Sequence, residues 1–258
     1  MANSSTTGAA SLSTPKDSTD AIELSIIIVS WNVWPLLRDC LTSIEVLTDQ
    51  CEPTGDDPAL VRRWGAEGQW LMEVIVVDNA SSDETMTALP LSFPWVRLIQ
   101  SGENAGFTRG NNIGYRAGRG NYIFFLNPDT SLTAAARLAR QAADTMDRAS
   151  VDPLLFLHAV MAHDATLGMV GPQLRYGDGS WQNSRRRFPT RLTGFFESTW
   201  LSRLWPTNRW AEQMHMVDQP AKVQHAVDWL NGSAMFCRRA ALAAICAEGD
   251  PGPFDEQF

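Results

Sequence analysis

The sequence predicts an α/β fold built on a mostly parallel sheet with helices packed on it. Three observations carry that reading. Short apolar, β-branched runs recur at Leu24 to Val29, Glu73 to Val77, Val96 to Ile99 and Tyr122 to Leu126. They alternate little between apolar and polar, as strands buried on both faces do. Between them lie segments with helical apolar spacing, and strands alternating with helices give a parallel sheet with right-handed crossovers.

In chain order, residues 1–22 read as a disordered tail, because Ser, Thr, Ala and Gly dominate and no apolar core is present. The first strand ends at Ser30-Trp31-Asn32. Pro35 suits the first turn of a helix, and Leu37, Cys40, Leu41, Ile44 and Leu47 form its apolar stripe. Residues 48–70, rich in Pro and Gly, read as an insertion with a short helix around Leu60 to Trp64. The second strand ends at Asp78-Asn79, and Ser81-Ser-Asp83 reads as the start of a helix. After the third strand, a loop rich in Gly and Asn, from Glu103 to Gly114, runs into a further helix.

The fourth strand is followed at once by Asn127-Pro128-Asp129, and Pro128 cannot extend a central strand. Asp129 therefore sits at the carboxyl edge of the sheet, where open α/β sheets hold their ligands. A carboxylate there can hold a hard cation that in turn holds a diphosphate. The alternative is a plain turn into a helix capped by Ser131 or Thr133. Leu132, Ala135, Ala139, Ala142 and Met146 share one face of that helix, and residues 149–166 read as a second insertion. A strand at Leu167 to Val170, a strand pair or strand–turn–strand from Val227 to Cys237 and a short helix from about Ala240 complete the pattern.

The chain has 258 residues, enough for one large domain, and a net charge of −8, which argues against a general nucleic-acid binder. Charge is unevenly placed: from Gln173 to Trp210 there are seven Arg against two acidic residues, and four of the ten Trp lie in the same stretch. Cys40, Cys51, Cys237 and Cys246 show neither metal-ligand spacing nor a pairing pattern, so free thiols in a reducing compartment are expected. With no signal sequence or run long enough to span a bilayer, the expectation is a cytoplasmic protein, at most held on the inner face of the membrane.

Three strand ends thus offer polar groups to one crevice: Ser30 to Asn32, Asp78-Asn79 and Asn127 to Asp129. A dinucleotide-binding dehydrogenase is excluded at the first turn, because Ser30-Trp31-Asn32 lacks the glycines that let a pyrophosphate approach the backbone.

These pieces resemble family-2 glycosyltransferases, in particular the rhamnosyltransferase-like branch. The matching stretches are Ser25-Ile-Ile-Ile-Val-Ser-Trp-Asn32, Val76-Val-Asp-Asn-Ala-Ser-Ser-Asp83, Glu103-Asn-Ala-Gly-Phe107 with Gly110-Asn-Asn112, and Phe125-Leu-Asn-Pro-Asp129. Gly171-Pro172, Asp178-Gly179-Ser180, Arg186-Arg-Phe-Pro189 and Asp228-Trp-Leu-Asn-Gly-Ser-Ala234 follow in family order.

The resemblance implies an A-type glycosyltransferase fold over residues 23–258: a nucleotide-sugar-binding half over 23–130 and an acceptor half over 131–258. It implies inverting transfer of a sugar, with rhamnose suggested by the branch, from a nucleotide-diphosphate donor to a saccharide or polyprenyl-linked acceptor. Ser30, Trp31, Asn32, Asp78, Asn104, Asn111, Asn127 and Asp129 become donor-binding candidates. Asn127-Pro128-Asp129 stands where the family has Asp-x-Asp, so Asp129 takes the role of ligand to Mg²⁺ or Mn²⁺. Arg185, Arg186 and Arg187 become candidates for the donor diphosphate or a lipid diphosphate acceptor. Apart from the resemblance, the Trp and Leu cluster from Phe195 to Trp210 reads first as core, with a surface for peripheral membrane contact as the alternative.

One departure matters. The branch carries its general base in an acidic cluster shortly after Phe-Asp-Glu-x-Phe, and this chain ends at Phe254-Asp255-Glu256-Gln257-Phe258. The base is then expected beyond Phe258, with Asp255 and Glu256 as substitutes on a poorly held terminus. A fragment of a longer enzyme and a donor-binding module without transfer both remain open.

Overall fold

A computed structural model describes residues 21–50, 60–132, 152–200, 203, 205, 208–217, 219–220 and 223–257. Residues 1–20 of the expected tail, and all but the start of the helix expected after Asp129, lie outside the described residues. Ile22, counted with the tail, already belongs to the first strand.

The strands are β1 (Ile22–Ser30), β2 (Asp49–Gln50), β3 (Arg62–Trp64), β4 (Trp70–Asp78), β5 (Arg97–Gln100), β6 (Tyr122–Leu126), β7 (Met169–Val170), β8 (Leu174–Arg175), β9 (Trp181–Gln182), β10 (Arg185–Arg186), β11 (Trp229–Leu230) and β12 (Ala234–Arg238). The described helices are α1 (Trp34–Leu47), α2 (Thr85–Ser92), α3 (Gly106–Ala117), α4 (Pro153–His163), α5 (Arg191–Ser198), α6 (Arg209–Met214) and α7 (Arg239–Ile245).

The central sheet runs β2-β3-β4-β1-β6-β12-β7, with β5 also paired to β4. Its parallel part is β5-β4-β1-β6, and the strands on either side of it are antiparallel. Because β1 lies between β4 and β6 and is parallel to both, the carboxyl ends of all three open at the same edge. The ladder of β12 against β6 makes the two sequence-defined halves share this sheet.

One face of the sheet buries Ile26, Ile28, Val74, Val76 and Phe124 against Leu37, Leu41 and Ile44 of α1. The other buries Ile27, Ile123, Phe125, Met235 and Cys237 with Leu242 of α7, and Tyr115 and Phe254 close its margin. Each such side chain contributes about 1.5–3 kcal/mol by leaving water. Two glycines let α3 lie flat on this second face. A Cβ at Gly110 would come within 2.7 Å of Val29, and one at Gly114 would overlap Ile27.

A buried polar tie holds the far end of the sheet. Glu73 accepts from Ser25 Oγ at 2.7 Å and from Nε and Nη2 of Arg119 at 3.2 and 3.1 Å. A charge so deeply buried is retained only with several partners. Nearby, His158 of α4 is ringed by Trp64, Trp70 and Tyr122, and its Nε2 lies 2.8 Å from Glu23.

Three elements differ from the sequence reading. The short helix expected around Leu60 to Trp64 is instead strand β3, because Arg62 to Trp64 pair with Trp70 to Met72 and bury Arg62 and Trp64 alternately. Residues 149–166, read as an insertion, contain α4, whose first turn is capped by Asp152 accepting from Leu154 N and Leu155 N. The helix expected from Ser81-Ser-Asp83 starts at Thr85, because those three residues are engaged with the β1–α1 loop.

Candidate functional site

At the shared carboxyl edge, Ser30 and Asp78 are register partners at the ends of β1 and β4. Asn79 N donates to Ser30 O at 2.8 Å, which closes the two strand ends together. Asp78 is buried; its Oδ2 accepts from Ser81 N at 3.0 Å, while its Oδ1 is sealed from water with no partner. Ser30 Oγ and Asn79 Oδ1 are buried and unpartnered in the same way. A buried polar atom left unpaired costs about 1–3 kcal/mol, so three at one strand edge mark a place where stability has been given up.

The loops over this edge are laced to each other. Asn32 takes a left-handed backbone, φ 54°, and its Oδ1 accepts from Ser82 N at 2.7 Å, Ser82 Oγ at 3.2 Å and Asp83 N at 3.3 Å. Asn32 N donates to Ser81 Oγ at 3.0 Å. Asp83 Oδ2 accepts from Trp34 N at 3.0 Å and so caps α1 from across the crevice. Burial works to raise the Asp83 carboxyl, but hydrogen bonds from Thr85 and Trp34 hold it below its ordinary value. Trp31, at the tip of this laced pair, is exposed.

One strand over from β1, and about 10 Å from β4 by ordinary strand spacing, the Asn127-Pro128-Asp129 turn leaves β6. Asn127 N donates to Ser233 O at 2.9 Å, tying the turn to the segment before β12. Asn127 O accepts from Thr130 N at 3.1 Å and lies 3.9 Å from Cys40 Sγ. The Asp129 side chain is exposed and has no hydrogen bond or ion pair among the described residues. Its charge is felt at Cys40, whose thiol is pushed up to about 12, mainly by burial. Burial thus keeps that thiol in its protonated form at neutral pH.

The remaining candidates are distributed differently. Asn104 Oδ1 accepts from Gly106 N, and the buried Asn111 donates to Phe107 O at 2.9 Å, so both carboxamides are engaged in the local backbone of α3. Asn32 is likewise occupied in the lacing. Arg185 donates to Pro220 O and Gln219 O, and Arg186 Nη1 to Asn183 O and Arg185 O, so neither guanidinium is simply solvated. Asp228 accepts from Phe188 N at 2.8 Å and ties the segment after β10 to the residue before its partner strand β11.

The C-terminal segment is held rather than loose, contrary to the expectation for Asp255 and Glu256. Asn112, fully buried in α3, donates through Nδ2 to Phe254 O at 2.8 Å and to Glu256 Oε1 at 3.0 Å, and its Oδ1 accepts from Phe254 N at 3.1 Å. Phe254 stands edge-on to Phe107 and Phe125, with centroids 5.8 and 4.9 Å apart. Sequence reading missed Asn112 as an anchor; its one signal was an Asn amid the close-packed glycines of α3.

Among the described residues no cluster of three or more His, Cys, Asp or Glu forms a ready metal cage. One uncommitted carboxylate beside a crevice nevertheless fits Mg²⁺, which is commonly held by one or two carboxylates together with substrate phosphates.

Residues 25–152 match the family model "Glycosyl transferase family 2". The chain is 27% identical over 246 residues to the N-acetylglucosaminyl-diphospho-decaprenol L-rhamnosyltransferase of Mycobacterium tuberculosis, with the same match in strains CDC 1551 / Oshkosh and ATCC 25618 / H37Rv. The match covers 91% of this chain and 66% of those relatives, so the chain spans just under two thirds of their length. Among solved structures, it matches the mannosyltransferase PcManGT from Pyrobaculum calidifontis in complex with GDP-Man and Mn²⁺, at 21% identity over 62% of this chain and 37% of that one, TM-score 0.40. It also matches S. aureus TarS 1-349, at 19% identity over 47% and 33% of the two chains, TM-score 0.32.

Proposed function

From a chain that belongs to glycosyltransferase family 2, we infer a protein that binds a nucleoside-diphosphate sugar at the β4-β1-β6 edge and takes part in inverting transfer of the sugar. The observation that carries this reading is the set of orphaned atoms Ser30 Oγ, Asp78 Oδ1 and Asn79 Oδ1, at the ends of the two strands that lie next in order to the one followed by the uncommitted carboxylate of Asp129. Two of the three are acceptors only, so a ligand must bring donors to them. An imide or lactam N–H of uracil, thymine or guanine suits Asp78 Oδ1; adenine and cytosine have a ring acceptor at that position and would reach it only through their exocyclic amino groups. Since these atoms are closed to water, the ligand reaches them as the covering loops shift.

Trp31 offers an exposed ring on which a base stacks. Asn127 supplies a neutral amide able to hydrogen-bond a ribose hydroxyl. Asp129 is the residue that would hold Mg²⁺ or Mn²⁺. When bound, the ion stabilises negative charge on the departing diphosphate.

In the transfer step, a carboxylate base takes the proton of the acceptor hydroxyl, that oxygen bonds to the sugar C1, and the bond from C1 to the diphosphate oxygen breaks on the opposite face. Glu256, bonded by Asn112, and Asp255 beside it are the carboxylates that the docked C-terminal segment brings to this half of the molecule. The relatives' name supports rhamnose as the sugar and a polyprenyl diphosphate-linked saccharide as the acceptor, in cell-surface glycan synthesis.

Titration calorimetry with UDP, TDP, GDP, CDP and ADP, in the presence of Mn²⁺, tests the site. The reading requires at least one of the first three to bind well above the last two, and Asp78→Ala to remove that preference. Equal affinity for all five nucleotides contradicts it. Donor bound by the chain with neither transfer nor hydrolysis favours a donor-binding module over a complete enzyme.

A further inference from the structure

We propose that the surface around α5 docks on an anionic lipid bilayer. Thr190 caps this helix, accepting from Thr193 N at 3.1 Å with Thr193 Oγ1 returning to Thr190 N, so its eight residues have a defined start. Phe196 turns toward α6 and stacks on Trp210, with centroids 4.8 Å apart at 14°, while Trp205 meets both rings edge-on. That small aromatic core uses one side of α5. Leu192 and Phe195 flank Phe196 on the same stretch of helix surface, Leu192 one turn before it and Phe195 edge-on to it at 5.6 Å, yet both are about half exposed.

The apolar surface continues beyond the helix. Phe188 is 68% exposed just before it, Trp200 is 69% exposed just after it, and Trp205 shows its outer edge. Five large apolar side chains are thus exposed within eighteen residues, a local concentration of the kind that marks an interaction surface where it is contiguous.

Charge selects the partner. Arg191, Arg203 and Arg209 are exposed among these rings, with Arg209 set 5.7 Å from the Trp210 ring. Glu212 is the exposed acid on α6. The stretch from Gln173 to Trp210 carries seven Arg and two acidic residues within a chain of net charge −8. A second copy would set like charges against each other on this face. An acidic polysaccharide would satisfy the Arg and leave the Trp, Phe and Leu in water. The interface of an anionic bilayer takes both, with aromatic rings at headgroup depth and guanidinium groups among phosphates.

This deepens the proposed function, since a lipid-borne acceptor is met at that interface, but the docking itself stands on exposure and charge. No described helix is long and apolar enough to cross a membrane, so the contact lies on the surface. Co-sedimentation of the full chain with vesicles of phosphatidylcholine alone, or mixed with phosphatidylglycerol, tests it. Nucleotide titration and circular dichroism on the same samples report folding and donor binding separately. Expected is binding to the anionic vesicles that weakens with salt, is lost in Leu192→Glu/Phe195→Glu, and falls about fivefold for each of Arg191→Gln and Arg203→Gln. Equal binding to neutral vesicles, no binding to either, or full binding by the double variant would overturn the proposal. So would a dimer in sedimentation velocity that the double variant dissolves.

Discussion

Replacing Asn112 by Ala removes three hydrogen bonds at once, and the structure says where the loss falls. Nδ2 serves Phe254 O and Glu256 Oε1, and Oδ1 serves Phe254 N, all between 2.8 and 3.1 Å. At about 1 kcal/mol net for each, docking of the C-terminal segment weakens by about 2–3 kcal/mol. The segment can lift off without unfolding the sheet, because Phe254 is only partly buried and packs at the margin of the second core, against Phe107 and Phe125. The loss is therefore local. Native-state hydrogen exchange should show protection of the Phe254 amide falling about 30- to 150-fold, with a much smaller shift in the urea midpoint. Asn112→Asp gives a second reading: it keeps the acceptor for Phe254 N but turns a carboxylate toward Glu256, so protection should fall at neutral pH and recover as the pair is protonated. Unchanged Phe254 protection in both variants would show that Asn112 does not hold the segment.

Burial works to raise the Glu23 carboxyl, but hydrogen bonds from His158 and Asn121 and the His158 charge win and hold it below its ordinary 4.5. The stability it adds is present above that value and lost as pH falls through the lower folded value. Glu23→Gln should therefore lower Tm at neutral pH and flatten the acid limb of a Tm-against-pH curve; an acid limb identical to wild type counts against the tie. Gly114→Ala should cost about 1–3 kcal/mol in urea unfolding, because the new methyl overlaps Ile27 under α3. A stabilised variant would mean that α3 does not pack as described. The thiols of Cys40 and Cys237 are both pushed up to about 12, mainly by burial, so neither should react with a thiol reagent at pH 8 until the protein unfolds. Labelling of either in the native protein, read by peptide mass spectrometry, would contradict their burial.

The buried strands were legible because their side chains leave little choice: Tyr122 to Leu126 is buried throughout and matches its sequence bounds. Strand β3 was not. Arg62-Arg63-Trp64 is strand only because β4 lies beside it, and Arg62 is buried by reaching Thr48 through hydrogen bonds to Oγ1 and the carbonyl oxygen. That three strand ends open at one edge was legible too, but the tasks of the asparagines there were not. The same carboxamide can face a ligand or complete a loop, and Asn32, Asn104 and Asn111 all have backbone partners here. Local spacing could not show Asn112 meeting Phe254, because 142 residues separate them. Nor could composition show that Arg185 donates to backbone carbonyls at Gln219 and Pro220.

The central claim is that Asp129 grips a nucleotide diphosphate through a divalent ion while Asp78 reads the base. It is tested most directly by calorimetric titration of the preferred nucleoside diphosphate into wild type and Asp129→Ala, with and without Mn²⁺. The account predicts that Mn²⁺ tightens binding to wild type, and that Asp129→Ala keeps the metal-free affinity but gains nothing when Mn²⁺ is added. The same Mn²⁺-dependent gain in Asp129→Ala as in wild type would contradict it.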